Sequence, residues 1–319
     1  QQKILANDLL SAKVATMLGR KMEEDDWDFV YCHAKGLPMT DWSNLHIDVS
    51  HEGLGVEHKM FGISKQGSIL DECGTSKMHP AGTRSIRIPD TNDPNEAMID
   101  ILSQYNDLID SRKKKVADEN KTSNPVDIRT GWLLWKRTLD EFLYFEEKME
   151  RAEISNLYAQ WNETPAKGSR KSSRSLWIYN KITQKKVYSV TTTAGAKVQP
   201  YFDVPLPDDP NLYHFKVQGV SVGEGLIKVW LTNMTANYLK VLLGGLDKEK
   251  ISQAIAAIKD AHSESINSEK ATYREDVVSS IAVPVTINSE DYLALKNKNE
   301  YISDEYMFQQ LATEYSQLK

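Results

Sequence analysis

The chain has 319 residues, with 39 Lys+Arg against 45 Asp+Glu for a net charge of −6, and 40% of it is hydrophobic. Seven Trp, fourteen Tyr and seven Phe carry too much apolar surface for a disordered chain, and the length suits two domains of about 100–200 residues or one large one. There is no Gly period, no self-similar block and no run near the roughly 18 apolar residues of a membrane span, which excludes collagen-like, repeat and membrane-spanning classes.

Two cysteines, Cys32 and Cys73, are too few for a disulfide framework or a four-cysteine zinc site, so a reducing, cytoplasmic setting is expected. The start, Gln1-Gln2-Lys3-Ile4, lacks the charged-then-apolar pattern of a secretory signal.

Apolar spacing predicts a helix over residues 4–24 and a short aromatic strand over 27–32. Residues 45–49 and 55–61 read as two strands around His51-Glu52-Gly53-Leu54, a hairpin. Asn92-Asp93-Pro94 signals entry to a helix over 95–119, and a second long helix is expected over 131–161, with Leu139, Phe142, Leu143, Phe145, Met149, Leu157 and Trp161 as its apolar side. The polar stretch 164–173 reads as a linker and divides the chain into 1–163 and 164–319. Strands follow at 175–180 and 186–192, then at 212–220 and 226–233, which are expected to pair around Gly223-Glu224-Gly225, and helices at 247–262 and 304–318. The expected class is mixed α/β (α+β), with a central mixed sheet flanked by helices and a C-terminal part that is β-rich and helical.

Charge is uneven. Residues 164–202 contain no Asp or Glu but eight basic residues, Lys167, Arg170, Lys171, Arg174, Lys181, Lys185, Lys186 and Lys197, so the remainder carries −14. Such a local excess marks a surface for an anionic partner. Phosphate contact is expected from Arg170, Lys171, Arg174, Lys181, Lys185, Lys186 and Lys197, with Tyr179 reaching backbone or base edges from a β-ribbon and Arg84 adding a further donor.

The chemistry-bearing stretch is Leu45-His46-Ile47-Asp48-Val49-Ser50, a turn, then Gly55-Val56-Glu57-His58-Lys59-Met60. With a four-residue loop, Ser50 pairs with Gly55, Val49 with Val56 and Asp48 with Glu57. Alternation then gathers Leu45, Ile47, Val49, Val56 and Met60 on one face with His58, and His46, Asp48, Ser50, Glu57 and Lys59 on the other. Like charges directly opposed in a sheet repel by up to roughly 1 kcal/mol, which a shared divalent cation would relieve. Lys59, beside Glu57, would serve the attacking water.

This hairpin resembles the catalytic hairpin of the PD-(D/E)xK nucleases, the superfamily of most type II restriction endonucleases. Over about twenty residues Asp48 matches the motif Asp, Glu57 the second acid and Lys59 the lysine, while Ile47 stands where the name-giving Pro would be. The resemblance implies Mg²⁺ bound by Asp48 and Glu57, hydrolysis of double-stranded DNA, catalysis by Asp48, Glu57 and Lys59, a homodimer for palindromic targets, and a further acid from an early helix, for which Glu23 and Glu24 are candidates. The alternatives are a non-catalytic DNA-binding protein and a metal-dependent phosphoesterase for small substrates. A zinc site from His46, Asp48, His51, Glu52, Glu57 and His58 is disfavoured, since His58 points away from His46 in this register. Cys73 reads as a structural thiol, and no nucleotide-binding glycine motif or serine-hydrolase elbow occurs.

Overall fold

The computed structural model describes residues 1–39, 47–79, 83–166, 172–192, 196–260, 280–298 and 303–318, with the side chains of residues 83–85 and 260 left aside. Helices α1 (Gln2–Met17) and α2 (Glu24–Lys35) precede strands β1 (Val49–His51), β2 (Leu54–Ile63), β3 (Ser76–Met78) and β4 (Thr83–Ile86). Helix α3 (Pro94–Glu119) is followed by β5 (Asp127–Lys136), β6 (Glu141–Lys148), β7 (Leu157–Thr164), β8 (Ser173–Asn180), β9 (Lys186–Thr191), β10 (Ala196–Asp203), β11 (Tyr213–Lys216), β12 (Val220–Gly223) and β13 (Leu226–Thr232). The chain closes with α4 (Asn233–Leu243), α5 (Lys248–Asp260), β14 (Ala282–Asn288), α6 (Ser289–Lys298) and α7 (Asp304–Ser316). The mixed α/β class is as expected.

The first sheet runs β1-β2-β5-β6-β11. Its β2 and β5 are parallel from Leu54↔Asp127 to Ile63↔Lys136, a pairing that requires a crossover, and α3 lies in it. One face packs Val49, Val56, Leu133, Phe142 and Tyr144 against α1 and α2, centred on Trp27 and Tyr31. The other packs Ile47 and Ile128 against Ile109 and Val116 of α3, and further along meets the second sheet, where the rings of Trp132 and Phe202 stack at 3.9 Å. Helices therefore cover both faces of the strand that carries Glu57, His58 and Lys59.

The second sheet runs β3-β10-β9-β8-β7, with β4 also on β10. Its inner face, with Ala159, Leu176, Ile178, Val190 and Val198, packs on Ile101 and Leu102 of α3. The third sheet, β12-β13-β14, shares a core with α4, α5, α6 and α7. Among the described residues, no helix is long and apolar enough to cross a membrane.

Four expectations differ from the structure. Residues 27–32 belong to α2, because Glu23 and Asp26 form a reciprocal capping box that starts a helix there. The helix expected over 131–161 is three strands. Since β5 is covered on both faces, Trp132, Leu133, Leu134 and Trp135 are consecutive rather than alternating apolar residues, and Leu139 turns the chain at φ 55°. The boundary at 163/164 falls inside the antiparallel pair β7–β8, which runs from Leu157↔Asn180 to Thr164↔Ser173. In addition, β3 and β4 from the N-terminal half pair with β10, so the second sheet draws on both sides of that boundary. Of residues 212–220, β11 pairs with β6 rather than with 226–233. The helices at 95–119 and 304–318 form as α3 and α7, and that at 247–262 as α5 as far as Asp260, residues 261 and 262 lying outside the described residues.

Gly131 in β5 lets two polar side chains approach, since a Cβ there would lie 2.5 Å from the Tyr144 hydroxyl and 2.6 Å from His58 Cδ2. Gly131→Ala is expected to destabilise the fold by about 1–3 kcal/mol through overpacking, read as a lower urea midpoint at unchanged slope.

Candidate functional site

The hairpin forms in the expected register, Ser50↔Gly55 and Val49↔Val56, with His51↔Leu54 added. The loop is thus two residues, Glu52 and Gly53, both at positive φ (46° and 88°), the geometry that matches the twist of paired strands. Residues 45 and 46 lie outside the described residues. Strand pairing stops at Val49, and the chain bends at Asp48. Ile47 therefore joins the cluster under α3, while Val49 joins the one under α1 and α2, so the alternation expected to place both on one face breaks at Asp48.

That bend aims the Asp48 carboxylate at the edge of β2. Its Oδ2 accepts the backbone N–H of His58 at 2.5 Å, a donor that a longer β1 would have paired. The His58 ring lies on the Val56/Met60 face as expected, fully buried, with Nδ1 2.5 Å from Asp28 Oδ1 and Nε2 3.2 Å from the Tyr144 hydroxyl. Asp28 comes from α2. One ligand atom each from Asp28, Asp48 and His58 lies within 4.8 Å of the other two, a group able to hold a metal ion. Burial, then the neighbouring Asp28 charge, pushes the Asp48 carboxyl up to about 6, with the His58 N–H, the His58 ring and Lys59 pulling the other way.

Glu57 and Lys59 point to the opposite face and meet each other, with Lys59 Nζ 2.6 Å from Glu57 Oε1. Glu57 is buried, and Arg112 of α3 grips both its oxygens, at 2.8 Å and 3.2 Å. The structure thus brings together two of the three expected catalytic residues. Asp48 is grouped instead with Asp28 and His58, and Lys59 is the residue whose charge bears on both carboxylates.

Asp28 is not among the residues expected in the site, since a strand over 27–32 gives it no path to Asp48, whereas α2 does. The resemblance did call for an acid from an early helix, and the Glu23–Asp26 capping box with Trp27, Val30, Tyr31 and Ala34 at helical spacing would have placed Asp28 on the flank facing the sheet. Glu23 itself caps α2 and Glu24 is exposed in its first turn. The second acid-x-Lys, at Glu146-Glu147-Lys148, lies on β6. There Glu146 accepts from Tyr31, Tyr144, Lys35 and Arg129; burial raises it, but these partners together hold it below the usual carboxylate range.

Of the residues expected to contact DNA, Arg170 and Lys171 lie outside the described residues, and Arg84 is described only as a position in β4. Arg174 lies over the Trp161 ring at 3.8 Å, toward the α3 side of its sheet. Tyr179, one strand position out of phase with Arg174, faces the other way and stacks on Tyr158. Lys181 donates to the Ser155 carbonyl at 2.8 Å, and Lys185 lies 3.9 Å from Asp203. Lys186 sits over Trp177, and Lys197 lies on β10 opposite Thr191.

An acid whose folded value rises from 3.8 to about 6 favours folding while protonated and withdraws that stability as it ionises. In metal-free buffer, Asp48→Asn is therefore expected to gain stability over the wild type as pH rises from about 4 through 6, and to hold a constant margin above that. Urea midpoints measured across this range check it, and a pH-independent difference would refute the assigned environment.

Comparison of the chain with protein-family models, with curated proteins and with solved structures finds no match to any of them.

Proposed function

We propose that the chain is a Mg²⁺-dependent endonuclease acting on double-stranded DNA, of the type II restriction kind and dimeric to match two-fold targets. The observation that carries this reading is the Asp48 carboxylate at the end of the edge strand. It stands beside a second carboxylate, Asp28, while Lys59 on the neighbouring strand is held by Glu57.

The donor set fits the ion. Two carboxylates close enough to share a cation are hard oxygen ligands suited to Mg²⁺, and the repulsion between them is what a cation relieves. His58, with its Nδ1 on Asp28, orients that carboxylate, as partners of ligating groups commonly do. Mg²⁺ held by Asp28 and Asp48 would offset charge building on the scissile phosphate.

The remaining roles belong to Glu57 and Lys59. Arg112 fixes Glu57, and Glu57 fixes the Lys59 amine, which can donate to or orient the attacking water. Hydrolysis breaks the bond from phosphorus to the 3′ oxygen and leaves a 5′-phosphate. A second reading, DNA binding without catalysis, is favoured by the closed ion cluster of Glu57, Arg112 and Lys59, which engages both carboxylate oxygens.

Incubating supercoiled plasmid with protein and Mg²⁺ separates these readings. Cleavage supports the first, retarded but intact DNA the second, and neither outcome leaves a small phosphate ester as substrate. Lys59→Ala is expected to lower cleavage by about 100-fold or more while DNA affinity stays within a few fold; lost affinity would overturn its assigned role.

A further inference from the structure

The face of the second sheet turned away from α3 is built from aromatic and polar residues. Inner positions Ala159, Leu176, Ile178, Val190 and Val198 are buried in the core, so the alternate positions of the same strands face outward. Tyr158 lies opposite Tyr179, and their rings stack at 5.3 Å and 18°. Trp177, two residues along β8, carries the Lys186 amine 3.2 Å above its ring, with Tyr179 and Tyr201 within 5.9 Å of the same nitrogen. All five side chains are half-buried, and they belong to four adjacent strands.

Charge indicates the occupant. The face lies within or beside the segment 164–202 that has no acid, and its rim carries Lys185, which meets Asp203 only at 3.9 Å with both side chains exposed. Flat rings spaced along a sheet have no use for a duplex, whose bases are stacked on one another; they suit bases that are unstacked. A neutral sugar would use the rings and leave the lysines idle.

We propose that this face binds an unpaired nucleic-acid strand, with bases laid on Tyr158, Tyr179 and Trp177 and phosphates met by Lys185 and Lys186. Lys186 covers Trp177 until a strand arrives, then exchanges the ring for a phosphate. Burial already lowers the basicity of its amine, so the exchange restores a solvated ion pair. The inference shares with the endonuclease reading only that nucleic acid is the partner, and it does not depend on cleavage.

The test is fluorescence anisotropy of labelled oligo(dT) and oligo(U) with the full chain in EDTA, where no metal-dependent cutting occurs. Tyr179→Phe, which keeps the ring, is expected to bind as the wild type does, whereas Tyr179→Leu and Trp177→Leu, which keep apolar bulk without a flat face, should each lose about tenfold or more. Affinity should fall steeply with salt, and further in Lys186→Gln. Unchanged urea midpoints show that the variants fold. Equal binding by the Phe and Leu variants, salt-insensitive binding, or no binding by the wild type would each overturn the proposal. If the wild type cuts plasmid yet binds no single strand, this inference fails and the endonuclease reading stands. If strand binding tracks the rings and no cutting occurs, the reverse holds.

Discussion

Three consecutive polar side chains, Glu57, His58 and Lys59, lie in a strand paired along its length with β5 and covered by helices on both faces. Burying a charge without a partner costs several kcal/mol, so such a strand survives only if each face supplies compensation. It does. On one side α3 brings Arg112 to Glu57, and Lys59 closes the cluster. On the other, α2 brings Asp28 to His58, whose second nitrogen meets Tyr144. The placement of α2 and α3, and the missing Cβ at Gly131 that admits the His58 and Tyr144 side chains, all answer to this one requirement.

The same arrangement generates the candidate chemistry. Asp48 ends β1 by capping the His58 N–H with its side chain, which draws it out of the alternation and beside Asp28. Two carboxylates then share a poorly solvated corner where one of them ionises reluctantly. That is a cost to the fold, at a group of side chains able to hold a metal ion.

Much of the hairpin was legible. Its register follows from the two-residue period of Val49, Val56 and Met60 and from the Glu52-Gly53 turn, both local properties of the chain. The helix α3 announces itself through Asp93 at its cap, whose carboxylate accepts the N–H groups of Asn95 and Glu96, and through Pro94 in its first turn. By contrast, residues 131–161 misled because apolar runs in a doubly covered strand carry no two-residue period, and a run of that kind does not distinguish strand from helix. The polar segment 164–173 has the composition of a linker, yet β7 and β8 on either side of it are hydrogen-bonded neighbours; composition records exposure and is silent about which strands pair.

The sequence by itself determined the mixed class, the hairpin and its register, and the concentration of positive charge in one segment, because each depends on residues close together along the chain. Only the tertiary structure decided that Asp28 joins Asp48 while Arg112 claims Glu57, and that Tyr158, Trp177, Tyr179 and Tyr201 share one sheet face. Those partners lie from about twenty to more than fifty residues apart or on strands whose order is set by the core, and side chains at such separations meet only where helix packing and strand order bring them.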